Sequence, residues 1–293
     1  MAEEAKKKSA MVMTATKDRN VSLDKIRNLG IIAHIDAGKT TTTERLLFET
    51  GRTYKQGSVD DGTTVTDWMV QERERGITIV SAAITAFWDL KEEASVEKGH
   101  YRINLIDTPG HIDFTAEVER SLRVLDGALM VFDGRTGVES QSETVWRQAD
   151  KYKVPRICVL NKLNLIGADF DGSIASIRER LKANACPVTY PIGQEHDHRG
   201  VIDLIKMKAL TYKAVEDAKL TTEEIPADLL ETAKKYRQQL IDAVSEFDDE
   251  TLAKYLEGVE PTEIEIKRAI RKGVIAGKFF PVFGGDNRSA ESQ

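Results

Sequence analysis

The residues best suited to chemistry lie in one segment, Ala33-His34-Ile35-Asp36-Ala37-Gly38-Lys39-Thr40-Thr41. An apolar run, Leu29 to Ala33, precedes it and reads as a buried strand. Lys39 and Thr40 open a helix that continues through Leu46, Leu47 and Phe48 and stops at Gly51. Strand, tight loop, Gly-Lys-Thr and helix together form the geometry of a phosphate-binding loop. Small residues let backbone N–H groups close around phosphate oxygens, and the helix N-terminus adds its partial positive charge. Lys39 would reach β- and γ-phosphates, and the Thr40 hydroxyl would hold Mg²⁺. The generic pattern begins with Gly, and Ala33 stands in that place.

A second group lies at Asp107-Thr108-Pro109-Gly110-His111, after the strand Tyr101 to Ile106. Asp-Thr-Pro-Gly is also good turn chemistry. Downstream of a phosphate loop, however, Asp107 at a strand end can hold Mg²⁺ through water, and the Gly110 N–H can report a γ-phosphate. Thr78 ends a long polar segment, from Arg52 to Gly76. It is either an ordinary strand Thr or a Mg²⁺ and γ-phosphate ligand that orders only when the phosphate is present. His111 is either a surface residue after a turn or the orienter of an attacking water. Asn161-Lys162-Leu163-Asn164 ends another apolar strand, where a base-reading loop would stand. His196 and His198, with Glu195 and Asp197, are too close in sequence to meet metal geometry.

The elements that position these groups follow from periodicity. A β-rich run over Ile79 to Trp88 should pair antiparallel with Tyr101 to Ile106. A helix over Phe114 to Leu125, a buried strand over Gly127 to Gly134, a helix over Glu139 to Tyr152 and a strand over Pro155 to Leu160 follow. This alternation predicts an α/β fold with a doubly wound, mainly parallel sheet. After a helix ending near Leu181 the pattern changes to short strands (Val188 to Ile192, Gly200 to Ile205, Ala209 to Val215). Two polar helices then span Pro226 to Glu246 and Asp249 to Leu256. The expected organisation is a disordered tail over 1–21, a core over 22–182 and 259–293, and an inserted α+β subdomain over 183–258. A helix over Ile264 to Arg271 and a strand over Phe279 to Phe283 should return the chain to the main sheet.

Composition narrows the class. The chain has 293 residues, 31% charged and 41% hydrophobic, with a net charge of −6, which is ordinary for a globular protein. No apolar run approaches the ~20 residues of a membrane span. The acidic balance gives no general footprint for DNA or other free nucleic acid. Cys158 and Cys186 have no metal-ligand or disulfide spacing and read as buried thiols in a reducing cytoplasm.

These motifs carry a resemblance to a known family. Ala33 to Thr40, Arg75-Gly76-Ile77-Thr78-Ile79 and Asp107 to His111 resemble, in order and spacing, the GTPase domain of the elongation factor G family. Gln71 to Arg75 and Ser140 to Thr144 also fit, and the similarity runs from about Ser22 to Gly285. It implies a P-loop GTPase with GTP and GDP as substrate and product and Mg²⁺ as cofactor. It implies the ribosome, through rRNA and stalk protein, as activating partner of a cytoplasmic monomer, with the insert docking on the stalk. It implies that Ala33 to Thr41, Asp107 to His111 and Asn161 to Asn164 bind GTP. It further implies that Thr40, Thr78 and Asp107 hold the metal, and that Lys39, Thr78 and His111 serve catalysis.

Three departures stand out. The base-reading motif of the family, Asn-Lys-x-Asp, ends here in Asn164. The next position, usually basic, is Leu165. Gly284-Gly285-Asp286-Asn287 stands where the family has its last base-contacting loop, with Ser289-Ala290 just beyond. The chain is also expected to lack the last GTPase helix and the domains that follow it. These departures keep two other readings open: a non-catalytic or xanthine-preferring nucleotide- or stalk-binding module (a degenerate paralogue or fragment), and a P-loop ATPase.

Overall fold

The computed structural model describes residues 21–54, 57, 64, 81–90, 98–108, 115–212 and 220–286. Residues 1–20 of the expected tail and Thr78, Pro109, Gly110 and His111 lie outside the described residues, while Val21, expected in the tail, is buried.

Apolar runs form the strands β1 (Ile26–Ala33), β4 (Gly127–Asp133) and β5 (Arg156–Asn161), and the helices between them carry one apolar face each. The first helix, α1 (Lys39–Glu49), follows the 34–38 loop. Next come β2 (Ala82–Leu90) and β3 (Gly99–Asp107), antiparallel as expected, with Ala82 opposite Asp107. The helices α2 (Thr115–Leu122), α3 (Ser140–Lys151) and α4 (Phe170–Leu181) follow β3, β4 and β5. The chain closes this layer with β6 (Ala185–Pro187) and, much later, β11 (Phe280–Gly284). Among the described residues the sheet has seven strands in the order β2-β3-β1-β4-β5-β11-β6, all parallel except β2.

Both faces of the sheet are covered, which is why its strands read as continuous apolar runs. Met130, Phe132, Cys158, Leu160 and Val282 pack with Trp146, Ile174 and Ile177 of α3 and α4 on one side. Leu46 and Leu47 of α1 pack toward Ile31, Leu129 and Leu105 on the other. Burial pushes the Cys158 and Cys186 thiols up to about 12, so neither is a ready nucleophile.

A second sheet is antiparallel and four-stranded, in the order β10-β9-β8-β7. Its strands are β7 (Thr189–Ile192), β8 (Gly200–Asp203), β9 (Lys208–Tyr212) and β10 (Leu220–Glu223). Val188 is the point of exchange between the sheets: its N–H donates to Val282 O, and its own carbonyl accepts from Leu204 N. Three helices follow: α5 (Leu230–Ser245), α6 (Asp249–Leu256) and α7 (Glu263–Ile275). α5 and α7 share a core with Ile192, Ile202 and Ala209 of the second sheet and Cys186 of β6, and α6 packs against α5 and α7. The strand expected over Val188 to Ile192 is β7, and β6 just before it is an additional strand. The expected return helix, α7, packs against β11 of the main sheet and buries Ile266 and Ala269 in a core shared with Cys186 of β6, Ile202 of β8 and Leu240 and Val244 of α5.

Candidate functional site

Sheet register brings the predicted groups together. β1 lies between β3 and β4, with Ile31 opposite both Asp107 and Leu129. β5 runs beside β4, with Asn161 opposite Asp133. The C-terminal ends of β1, β3, β4 and β5 therefore share one sheet edge, where strand order leaves β1 in opposite directions. Open α/β sheets bind ligands at that place.

Asp36 and Gly38 in the loop after β1 both have positive φ, 59° and 93°. A Cβ on Gly38 would stand 2.2 Å from Asn161 Nδ2, so only glycine fits there. Ala37 N donates to His34 O at 3.3 Å, and Thr42 N makes the first bond of α1, to Gly38 O, at 2.9 Å. The N–H groups ahead of Thr42 open the helix, where four donors lack intrahelical acceptors. Lys39 Nζ lies 2.6 Å from Asp107 Oδ1, with the two side chains 8% and 0% exposed. A buried cation and carboxylate thus face each other at the end of the loop. Thr108 Oγ1 donates to Ile31 O at 2.8 Å and ties the end of β3 to β1.

Asn161 and Lys162 grip the same loop from behind. Asn161 Nδ2 donates to Ala37 O at 2.9 Å. Lys162, itself at φ 66°, donates to Asp36 O and, at 2.9 Å, to Asp133 Oδ2. Asp133 also accepts from the Arg135 amide and guanidinium. Burial alone would push the Asp133 carboxyl up, but Arg135 and then Lys162 outweigh it and hold it down at about 2. From the far side, Ile35 N donates to Gln141 Oε1 at 3.3 Å, and His34 Nε2 stands 2.8 Å from Glu139 Oε2. Glu139 occupies the N-cap position of α3 without capping it. Its carboxylate reaches His34 instead.

Leu163 N donates to Gly285 O at 3.3 Å, and Gly285 N donates to Leu160 O at 3.0 Å, so the loop after β11 meets the 161–164 loop. The Asn164 Oδ1 atom is buried and accepts no hydrogen bond. Ser289 and Ala290 lie outside the described residues. No group of three or more His, Cys, Asp or Glu side chains suited to a metal is present among the described residues. His196 and His198 therefore stay unassigned, and burial pushes the His198 imidazole down. Sequence reading missed Asp133, Glu139, Gln141 and Glu195, whose roles appear only once strands and loops are neighbours.

Comparison with known proteins fits this geometry. Residues 24–273 match the family model described as the elongation factor Tu GTP binding domain. The chain belongs to that family. Proteins named elongation factor G from Thermotoga petrophila and Thermotoga maritima are each 57% identical to it, over 93% and 91% of this chain. The chain spans 38% and 37% of their lengths. A solved protein from Thermus thermophilus superposes with a TM-score of 0.78 at 29% identity, over 90% of this chain and 38% of its own. The elongation factor Tu GTP-binding fold, a mostly parallel sheet carrying an added antiparallel layer, is the fold found here. Among the described residues no helix is long and apolar enough to cross a membrane.

Proposed function

We propose that this chain binds GTP and GDP and hydrolyses GTP as the nucleotide-driven part of a ribosomal translocation factor. One observation carries the reading. Lys39 and Asp107 pair at the mouth of the loop that Asn161 and Lys162 brace, so phosphate and base determinants converge on one sheet edge. The relatives named elongation factor G support the ribosome as partner; contact through rRNA and stalk protein, in the cytoplasm, is part of the proposal. The 183–258 insert is the part proposed to dock on the stalk, and the chain is proposed to act as a monomer.

Each residue has a role. Backbone N–H groups from His34 to Thr41 receive the α- and β-phosphates. The Lys39 ammonium transfers its pairing from Asp107 to β- and γ-phosphate oxygens. Asp107 and the Thr40 hydroxyl offer hard oxygen donors at adjoining strand and helix ends, a set suited to Mg²⁺, with Thr78 as a third ligand by its motif. When bound, the ion neutralises phosphate charge. His111, placed by its motif just past Gly110, orients the attacking water.

The base pocket supports a second reading. A guanine-selective site uses both oxygens of a carboxylate to accept from N1–H and the 2-amino group. Asn164 offers one acceptor oxygen and one NH₂ donor. Xanthine replaces the 2-amino donor with an acceptor oxygen, which that NH₂ satisfies, so Asn164 favours xanthine over guanine.

Hydrolysis is tested by single-turnover measurement with and without ribosomes. The chain alone should run at roughly 10⁻⁴–10⁻² per second. His111→Ala should lower the ribosome-stimulated rate by ~10²–10⁴ while leaving nucleotide affinity nearly unchanged. An unchanged stimulated rate would remove His111 from the mechanism.

A further inference from the structure

The second layer hydrogen-bonds to the base-reading loop through Glu195. Glu195 lies in a one-turn 3-10 segment (Glu195–Asp197) between β7 and β8, far in sequence from the motifs. Its backbone N–H donates to Leu163 O at 3.1 Å. Its side-chain Oε1 accepts from Gly167 N at 2.8 Å. Both ends of the loop that carries Asn164 are thereby held by one residue.

The loop is also anchored at Leu163, whose side chain is buried in the main core and whose N–H donates to Gly285 O at 3.3 Å. Within it, Leu165 N donates to Lys162 O and Ala168 N to Leu165 O, both at 3.1 Å. Lys162 and Gly167 sit at φ 66° and 86°, so the loop is built on two left-handed corners. Glu195 itself has φ 52°, a conformation uncommon for a residue with a side chain. Such outliers persist where the surroundings hold them, and they gather at ligand clamps.

The turn that carries Glu195 is firmly set. Gly193, at φ 83°, has no room for a Cβ, which would fall 1.9 Å from Asp197 O. Asp197 N donates to Gln194 O at 2.9 Å, His198 N to Glu195 O at 3.0 Å and Arg199 N to Ile192 O at 3.0 Å. The strands on either side belong to the second layer's core through Ile192 and Ile202.

We infer that Glu195 is a positioning residue for base recognition: it fixes the Leu163–Gly167 loop so that Asn164 faces the purine, and it makes the second layer part of the specificity apparatus. This rests on the nucleotide reading given above. Glu195 touches no base atom in this account and acts only through the loop.

The test compares Glu195→Ala and Glu195→Gln with the unmodified chain, in competition binding with Mg²⁺ present. The probes are GDP, XDP and inorganic pyrophosphate, which reaches only the phosphate loop. Glu195→Ala removes the acceptor for Gly167 N–H, while Glu195→Gln keeps an acceptor oxygen. Glu195→Ala should weaken the preferred of GDP and XDP by about 10-fold. Pyrophosphate affinity should stay unchanged, and Glu195→Gln should restore nucleotide binding. Two results would overturn the inference alone: Glu195→Ala binding all three probes as the unmodified chain does, or weakening all three equally. If the unmodified chain binds GDP and XDP no better than pyrophosphate, no base pocket exists and both readings fall.

Discussion

Asp133 offers a quantitative test of how the site is held. Its carboxylate sits at the end of β4, almost fully buried, and takes Lys162 Nζ at 2.9 Å and the Arg135 guanidinium at 2.7 Å. Burial works against ionisation here, and the two cations and the Arg135 amide more than offset it. Folding carries the carboxyl from the usual 3.8 to about 2, which corresponds to about 2 kcal/mol of stability at neutral pH. The folded-state value is the lower of the two. The contribution is therefore complete above about pH 4 and lost as pH falls through about 2.

Asp133→Asn keeps the shape and removes the charge. It should cost about 2 kcal/mol in urea unfolding at pH 7, and the difference from the unmodified chain should shrink to about half of that at pH 3. Lys162→Met in the same background should cost less than it does alone, by about 1 kcal/mol, because the two partners share one interaction. Equal stability of Asp133→Asn and the unmodified chain at pH 7, or an identical difference at pH 7 and pH 3, would refute this account of the brace.

Two further outcomes are expected. Gly38→Ala places a Cβ against Asn161 Nδ2 at a positive φ, so it should lower the melting temperature and weaken nucleotide binding together; differential scanning calorimetry with and without Mg-GDP reads both. Asn164→Asp should raise GDP affinity by roughly 10- to 150-fold relative to XDP, the value of a hydrogen bond to a charged group. Calorimetric titration in which Asn164→Asp leaves the GDP-to-XDP ratio unchanged would show that Asn164 does not read the base.

The phosphate loop was legible because its requirements are local. A small-residue turn, a glycine and a Lys-Thr pair lie within one stretch, and residue type alone points to the chemistry. The alternation of strands and helices among the described residues from Leu29 to Leu181 was legible for the same reason: each helix has one apolar face, and each central strand is a short continuous apolar run. Asp133 was not legible, because its role comes from the β4–β5 register that sets it opposite Asn161, and neighbouring strands cannot be read from either one. The strand read over Val188 to Ile192 is β7, but β6 before it has only three residues and shows no period, so the passage of the chain between sheets at Val188 is invisible in the sequence. The β10 strand, Leu-Thr-Thr-Glu, is too short and polar to show alternation. The apolar stripe of α7 is clear in the sequence, but a stripe does not name its partners, and Ile266 and Ala269 join a core shared by β6, β8 and α5. Glu195 was noticed only beside two histidines, as part of a metal cluster that did not hold. Its contacts to Leu163 and Gly167 cross 32 and 28 positions of sequence.

The central claim is that the loop at Lys39 receives the phosphates of a purine nucleotide. Isothermal titration of the unmodified chain and of Lys39→Ala with Mg-GDP and Mg-XDP tests it most directly. The unmodified chain should bind at least one of the two with a measurable, saturable signal. Lys39→Ala should lose about 100-fold in affinity for that nucleotide, since the ammonium makes charge-assisted bonds to its phosphates. Binding by Lys39→Ala that matches the unmodified chain, or no binding of either nucleotide by the unmodified chain, would contradict the account.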